Sequence, residues 1–267
     1  MTENDISNTG RQAIERGMPE EEWNLRVELA GLFRIGAHLQ WEDSFNTHYT
    51  ARIPGNDERF LMNPYGVRFD EIKASDLVTV DIEGNVLEPT EHPVNEAGFI
   101  IHSAIHRNRH DAQCIIHTHT LAGMAVAAME HGLLPIGIFA LGFHEQLSYH
   151  AFEGGSGKHN VTERDRLAQS LGPTNPAMIM RNHGLLAVGT TVSEAFVWMF
   201  RLNRACEVQA MTYGASGSYA TPTESAAEHT AIATRDFLTA YGSGTPGEVE
   251  FRGFLRAVER EDPTFRD

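Results

Sequence analysis

Apolar positions along the chain recur first at helical spacing. Over 19–41, Trp23, Leu25, Val27, Leu29, Leu32, Phe33 and Ile35 make a mostly apolar stripe. Glu20, Glu21 and Glu22 occupy its first turn, where negative charge favours the helix dipole. Shorter runs then predict strands. Segments 49–53 and 59–63 flank the turn cluster Pro54-Gly55-Asn56-Asp57, and 77–82 and 86–89 flank a hairpin signal at Glu83-Gly84-Asn85. Segment 95–109 reads as a helix capped by Asn95, followed by a strand over 114–120 and a small-residue helix over 121–131 that ends at Gly132. A strand over 135–141 precedes an aromatic and histidine-bearing run over 143–152. A helix over 163–171 leads to two short apolar strands around Asn182-His183-Gly184. Thr191-Val192-Ser193-Glu194 has the form of a capping box and opens a long helix to about 213. Two final helices cover 223–241 and 248–261. There is no repeat and no low-complexity segment. The organisation expected is a flexible N-terminal arm over 1–19, a domain over 20–241 and a C-terminal helical extension over 242–267.

Composition narrows the classes of function. A chain of 267 residues suits one large domain with a sizeable core. Lys and Arg total 21 against 36 for Asp and Glu, a net charge of −15. That acidity, with no basic cluster to reverse it, argues against nucleic acid or an anionic membrane surface as partner. Cys114 and Cys206 make neither a disulfide framework nor a cysteine zinc pattern. The segment from Met1 to Gly10 is polar and acidic, unlike a signal peptide, and no apolar run approaches the ~20 residues of a membrane span. The expected setting is soluble and cytoplasmic.

Candidate chemistry sits in Cys114-Ile115-Ile116-His117-Thr118-His119-Thr120. Alternate side chains of a strand share a face, so His117 and His119 point the same way and two imidazoles can chelate one divalent ion. A bare His-x-His also occurs as two ordinary strand histidines. A third ligand is available at His183, which the turn chemistry puts at a hairpin tip beside a strand end. His102 and His106 form a second pair, at i, i+4 on one helix face, without the glutamate of the metalloprotease motif. Their helix is otherwise apolar, which favours packing, or support of a ligand by His102, over direct ligation. Glu153-Gly154-Gly155-Ser156-Gly157-Lys158 lacks the glycine at Phe152 that a phosphate-binding loop needs, and reads as a mobile loop.

In order and texture these stretches resemble the class II aldolase/adducin family, from near Leu25 to about Tyr213. The resemblance is carried by the His-x-His strand with its small-residue helix and by Arg181-Asn182-His183-Gly184-Leu185-Leu186. It extends to Arg52-Ile53-Pro54-Gly55, to Phe60-Leu61-Met62-Asn63-Pro64-Tyr65-Gly66 and to Asp81-Ile82-Glu83-Gly84-Asn85. It implies an α/β fold, a single class II aldolase-like domain with a central, mostly antiparallel sheet covered by helices. It also implies that His117, His119 and His183 bind one divalent metal ion per subunit, Zn²⁺ or Mn²⁺, which acts as a Lewis acid. A homotetramer acting on a small-molecule substrate follows from the same resemblance.

The departures shape the expected reaction. Where sugar-phosphate aldolases of the family carry Gly-Asn-apolar-Ser, this chain has Thr47, His48, Tyr49 and Thr50. Where they carry Ser-Ser-Glu, it has Glu96, Ala97 and Gly98. The phosphate-holding groups and the catalytic glutamate are therefore replaced, and Val94-Asn95-Glu96-Ala97-Gly98-Phe99 is similar to the adducin-type branch. The expected activity is a metal-dependent carbon–carbon lyase on a non-phosphorylated carboxylic or hydroxy acid. Decarboxylation stands ahead of retro-aldol cleavage, because loss of carbon dioxide needs an acid and no base. His48, Tyr149 and His144 are the expected proton carriers. Glu96, Gly98, His102 and Asn63 are placed around the substrate pocket or behind the ligands. The alternative is a non-catalytic, adducin-like interaction module.

Overall fold

The computed structural model describes residues 8–153, 163–215 and 218–267. Its centre is a sheet of seven strands, β1 (His48–Arg52), β2 (Arg59–Met62), β3 (Val78–Asp81), β4 (Cys114–Thr118), β5 (Leu147–His150), β6 (Ala177–Met180) and β7 (Gly184–Gly189). Their spatial order is β3-β2-β1-β4-β7-β6-β5. Every pairing is antiparallel except β5 with β6, so the expected sheet is the one found. The helices are α1 (Asn8–Arg16), α2 (Glu20–His38), α3 (Glu96–Asn108), α4 (Leu121–Ala128), α5 (Ile138–Leu141), α6 (Glu163–Leu171), α7 (Val192–Gly214), α8 (Glu224–Thr239) and α9 (Glu248–Glu261).

Strand alternation sorts the core into two sides. Tyr49, Ala51, Cys114, Ile116, Ile179, Leu185 and Ala187 join the main cluster with α2 and α7. Ile115, Met178, Met180, Leu186 and Val188 pack with Ile101 and Ile105 of α3 and Leu167 and Leu171 of α6. This is the period-two pattern of strands buried on both faces. Local signals act as read. Asn95 accepts from Gly98 N at 3.1 Å, Thr120 from Gly123 N and Thr223 from Ala226 N, capping α3, α4 and α8. At 191–194 half of the capping box forms. Thr191 Oγ1 accepts from Glu194 N, while the Glu194 carboxylate turns to Thr190 N at 2.7 Å.

Four expectations need correction. Residues 135–141 do not form a strand: Gly137 is extended and Ile138–Leu141 closes one helical turn that buries Ala140 and Leu141. Periodicity cannot separate helix from strand in so short an apolar run. Residues 86–89 pair through a single bridge, Val80 with Val86, after which Pro89 has no N–H to extend the ladder. From residue 8 onward the N-terminal arm is not loose. Ala13 is buried, the Arg16 guanidinium lies 4.4 Å over the Trp23 ring, and Trp23 Nε1 donates to Gln12 at 3.2 Å. Residues 242–267 are not an appendage either, since Phe251, Leu255, Val258 and Phe265 sit in the main cluster beside α2 and α7. The 154–158 part of the glycine-rich stretch lies outside the described residues.

Because α9 completes the core, Phe251→Ala should lower the unfolding free energy by about 3–5 kcal/mol, the range for large-to-small changes in a packed interior. Urea unfolding measures it. A loss under about 0.5 kcal/mol, the range of a surface substitution, would make α9 an accessory element.

Candidate metal centre and its buried histidine chain

The site is built where β4 ends. His48 of β1 lies opposite His117 of β4, and Leu185 and Leu186 of β7 lie opposite Thr118 and His117. The β6–β7 turn, with Asn182 in the left-handed region at φ 54, brings His183 to the same end of the sheet. His119 lies one residue beyond β4, still close enough to converge on His117. The ligand nitrogens of His117, His119 and His183 all lie within 4.8 Å of one another, and their ring centroids are 4.7 to 4.9 Å apart.

Second partners orient the rings. His117 Nδ1 is 2.9 Å from Leu185 O, and His119 Nδ1 is 3.0 Å from Asp43 Oδ2. A carbonyl and a carboxylate accept, so both Nδ1 atoms donate, and Nε2 is the nitrogen of each ring left to act as a ligand. Those two Nε2 atoms face each other at 2.9 Å. Two lone pairs at that distance repel unless a proton or a cation lies between them. Burial, with the neighbouring histidines, pushes His117 well below the usual histidine range, so that ring is a poor holder of the proton, and burial likewise lowers His183 to about 4. The donor set therefore fits a divalent cation. Asp43 had no signal in the sequence: it sits in a loop 76 residues from the ring it holds, and only folding joins them.

Behind the cluster, β1 turns a polar stripe of His48, Thr50 and Arg52 toward α3, all buried. His48 Nδ1 is 2.9 Å from His102 Nε2, His102 Nδ1 is 2.6 Å from Thr50 Oγ1, and Thr50 Oγ1 is 2.8 Å from His106 Nε2. His106 Nδ1 ends the chain on Ala112 O at 2.9 Å. His102 and His106 thus join α3 to β1 behind the cluster, and the His48 ring lies 5.0 Å from that of His117. Gly98 is needed where it stands: a Cβ there would meet His48 Cδ2 at 2.3 Å and Nε2 at 2.5 Å.

The other expected site residues are distributed unevenly. Asn63 is buried just past β2, at the sheet end that carries His48, and its Oδ1 makes no hydrogen bond among the described residues. The side chain of Glu96 lies outside the described residues. Tyr149 is engaged away from the cluster: its hydroxyl accepts from Leu133 N at 3.1 Å, and the Arg181 guanidinium lies 4.4 Å over its ring. His144 is turned toward α8, 3.2 Å from Glu224. Neither is brought to the histidines. Its neighbour His150 is close enough to lower the pKa of His183, a proximity that alternation along β5 hides from the sequence.

A model of the Class II Aldolase and Adducin N-terminal domain matches residues 27–210. The chain belongs to the class II aldolase/adducin family. A Caulobacter vibrioides protein named "Putative aldolase class 2 protein" is 42% identical over 96% of both chains. Rat alpha-adducin is 36% identical over 96% of this chain, which spans 35% of that protein. Among solved structures, an aldolase II superfamily protein from Pseudomonas syringae has a TM-score of 0.86 at 38% identity, covering 95% of this chain and 99% of its own. An L-fuculose 1-phosphate aldolase from Glaciozyma antarctica has a TM-score of 0.79 at 29% identity, covering 93% of each. No helix among the described residues is long and apolar enough to cross a membrane.

Burial holds His106 down to about 3 against 6.5 unfolded, so the folded chain refuses a proton that the unfolded chain accepts. Above pH 6.5 both states are neutral at this residue and nothing changes. As pH falls from 6.5 toward about 3, the unfolded state gains protons first and the unfolding free energy should fall. Urea midpoints across that window check it. Midpoints that stay level would mean the ring is protonated in the fold.

Proposed function

We propose that this protein is a metal-dependent carbon–carbon lyase acting on a non-phosphorylated hydroxylated carboxylic acid. The observation that carries the reading is the convergence of His117 and His119, whose Nε2 atoms face each other at 2.9 Å, with His183. A divalent ion there, Zn²⁺ or Mn²⁺, would supply Lewis-acid stabilisation of charge developing on a substrate oxygen. Leu185 O and Asp43 orient the rings that would hold it, and His48 stands beside them as the proton carrier.

Phosphate recognition finds little support. Thr50, at the aligned position for a phosphate-holding hydroxyl, is fully buried with its Oγ1 enclosed between His102 and His106. Thr47 Oγ1 accepts from Asp43 N. The Asp43 carboxylate beside His119 adds negative charge near any bound dianion. Exposed Leu121, Ile138 and Met211 support a homo-oligomer, four subunits by family resemblance. The second reading, an adducin-like interaction module, is favoured by the 36% identity with alpha-adducin across nearly the whole chain.

Protein purified without added metal should carry about one divalent ion per chain by elemental analysis, and His183→Ala should lose most of it. Full occupancy in His183→Ala would remove that residue from the ligand set. An empty site, with neither carbon dioxide nor aldehyde released from a panel of hydroxy acids, would favour the module.

A phosphorylated ketose should turn over poorly. Saturation at micromolar concentration with an ordinary turnover number would contradict the non-phosphorylated assignment.

A further inference from the structure

We infer that the carbonyl of Ala112 sets the tautomer of His48 through a one-way hydrogen-bond chain, leaving His48 Nε2 as a proton acceptor for a substrate hydroxyl. The direction follows link by link. Ala112 O can only accept, so His106 Nδ1 donates and its Nε2 accepts. The single Thr50 hydroxyl proton must then go to His106 Nε2. Thr50 Oγ1 is left to accept from His102 Nδ1, and His102 Nε2 accepts from His48 Nδ1. The one nitrogen with its lone pair unassigned is His48 Nε2, on the side of the ring that packs against Gly98. All three rings are buried, and Arg52 lies beside His106, so the neutral forms that this ordering requires are the ones the surroundings favour.

A lone pair on Nε2 selects a partner that donates. With the lyase reading above supplying the bond to be broken, the substrate class is a β-hydroxy carbonyl compound. His48 Nε2 takes the hydroxyl proton and the O–H electron pair becomes the new carbonyl bond. The neighbouring carbon–carbon bond breaks, its pair moves onto the fragment bearing the original carbonyl, and the proton on Nε2 returns to that fragment's carbon. Atoms and electrons balance with no further reactant. A neutral Nε2 acceptor suits this retro-aldol order better than decarboxylation, which begins with no proton to remove. His102, Thr50 and His106 are then positioning residues, since none needs to touch substrate.

The test is nitrogen NMR of the full chain labelled with ¹⁵N-histidine, with and without added Zn²⁺, the rings assigned from single-histidine variants. His48, His102 and His106 should each be a neutral Nδ1–H tautomer. Thr50→Val removes the link that orders His102 and should leave His48 a mixture of tautomers, while Thr50→Ser restores the single form. If a β-hydroxy acid is turned over, Thr50→Val should lower kcat about 100-fold with KM little changed, the scale of one general-base contribution. His48 found as Nε2–H in the unsubstituted protein would overturn the inference, as would a tautomer indifferent to Thr50→Val. The tautomer readout needs neither turnover nor a metal, so failure of the lyase reading leaves it standing and is told apart from its own failure.

Discussion

The pairing of β4 with β1 on one side and β7 on the other is the constraint on which the site depends. Side chains alternate along a strand, so a slip of one residue would carry His117 to the opposite face and bring Thr118 in its place. The register is held from both faces at once. Cys114 and Ile116 fill the main core while Ile115 fills the smaller one under α3. Neither set tolerates exchange, because each contacts a different layer of helices. The same pairing delivers the carbonyl of Leu185 to His117 Nδ1, so a backbone ladder places the ring and also chooses its tautomer.

Against this apolar frame, the His48–Thr50–Arg52 stripe on β1 is a deliberate exception. Buried polar groups destabilise a fold unless each finds a partner. Here most partners come from α3 at i, i+4 spacing and from backbone carbonyls, with Arg52 Nη2 donating to His106 O at 2.7 Å while Arg52 Nε has no partner among the described residues. A network satisfied in one direction only is also rigid, because reversing any link would leave Ala112 O without a donor. Gly98 belongs to the same arrangement. The His48 ring takes up the room that a side chain at 98 would need, so the identities of residues 48 and 98 are tied by volume. On the proposed reading, the proton carrier that a carboxylate at 98 would supply is the His48 ring on β1 that fills its room.

Much of the fold was legible in the sequence, and the reason is local. The β6–β7 turn, the Asn95 and Thr191 caps and the apolar stripe of α2 each depend on residues within one or two turns of each other. The convergence of His117, His119 and His183 was legible because strand parity and turn chemistry are also local. What was missed depends on long-range contact. Asp43 reaches His119 across 76 residues, and the His48–His102 link spans 54. His144 and Tyr149 looked suitable by type, but the fold directs one to Glu224 and the other under Arg181. The one-turn α5 was missed for a third reason: its short apolar run suits either backbone, and packing on α7 makes the choice.

Identity with alpha-adducin extends across almost the whole of this chain, so overall fold cannot separate an enzyme from an interaction domain. The difference has to lie in what the fold spends stability on. A surface used only for contact gains nothing from drawing imidazoles out of water, and each neutral ring buried here makes the protein more sensitive to acid. A hydrophobic side chain at position 50 or 102 would pack the same space without a polar network to satisfy. The chain instead keeps six histidines in the cluster and in the buried chain that runs back from it along β1. Three converge on a point, and three are ordered from a single carbonyl so that the innermost presents a lone pair beside it. That arrangement is costly for stability, and the proposed lyase chemistry, a proton handled next to a Lewis acid, is what would give it a use.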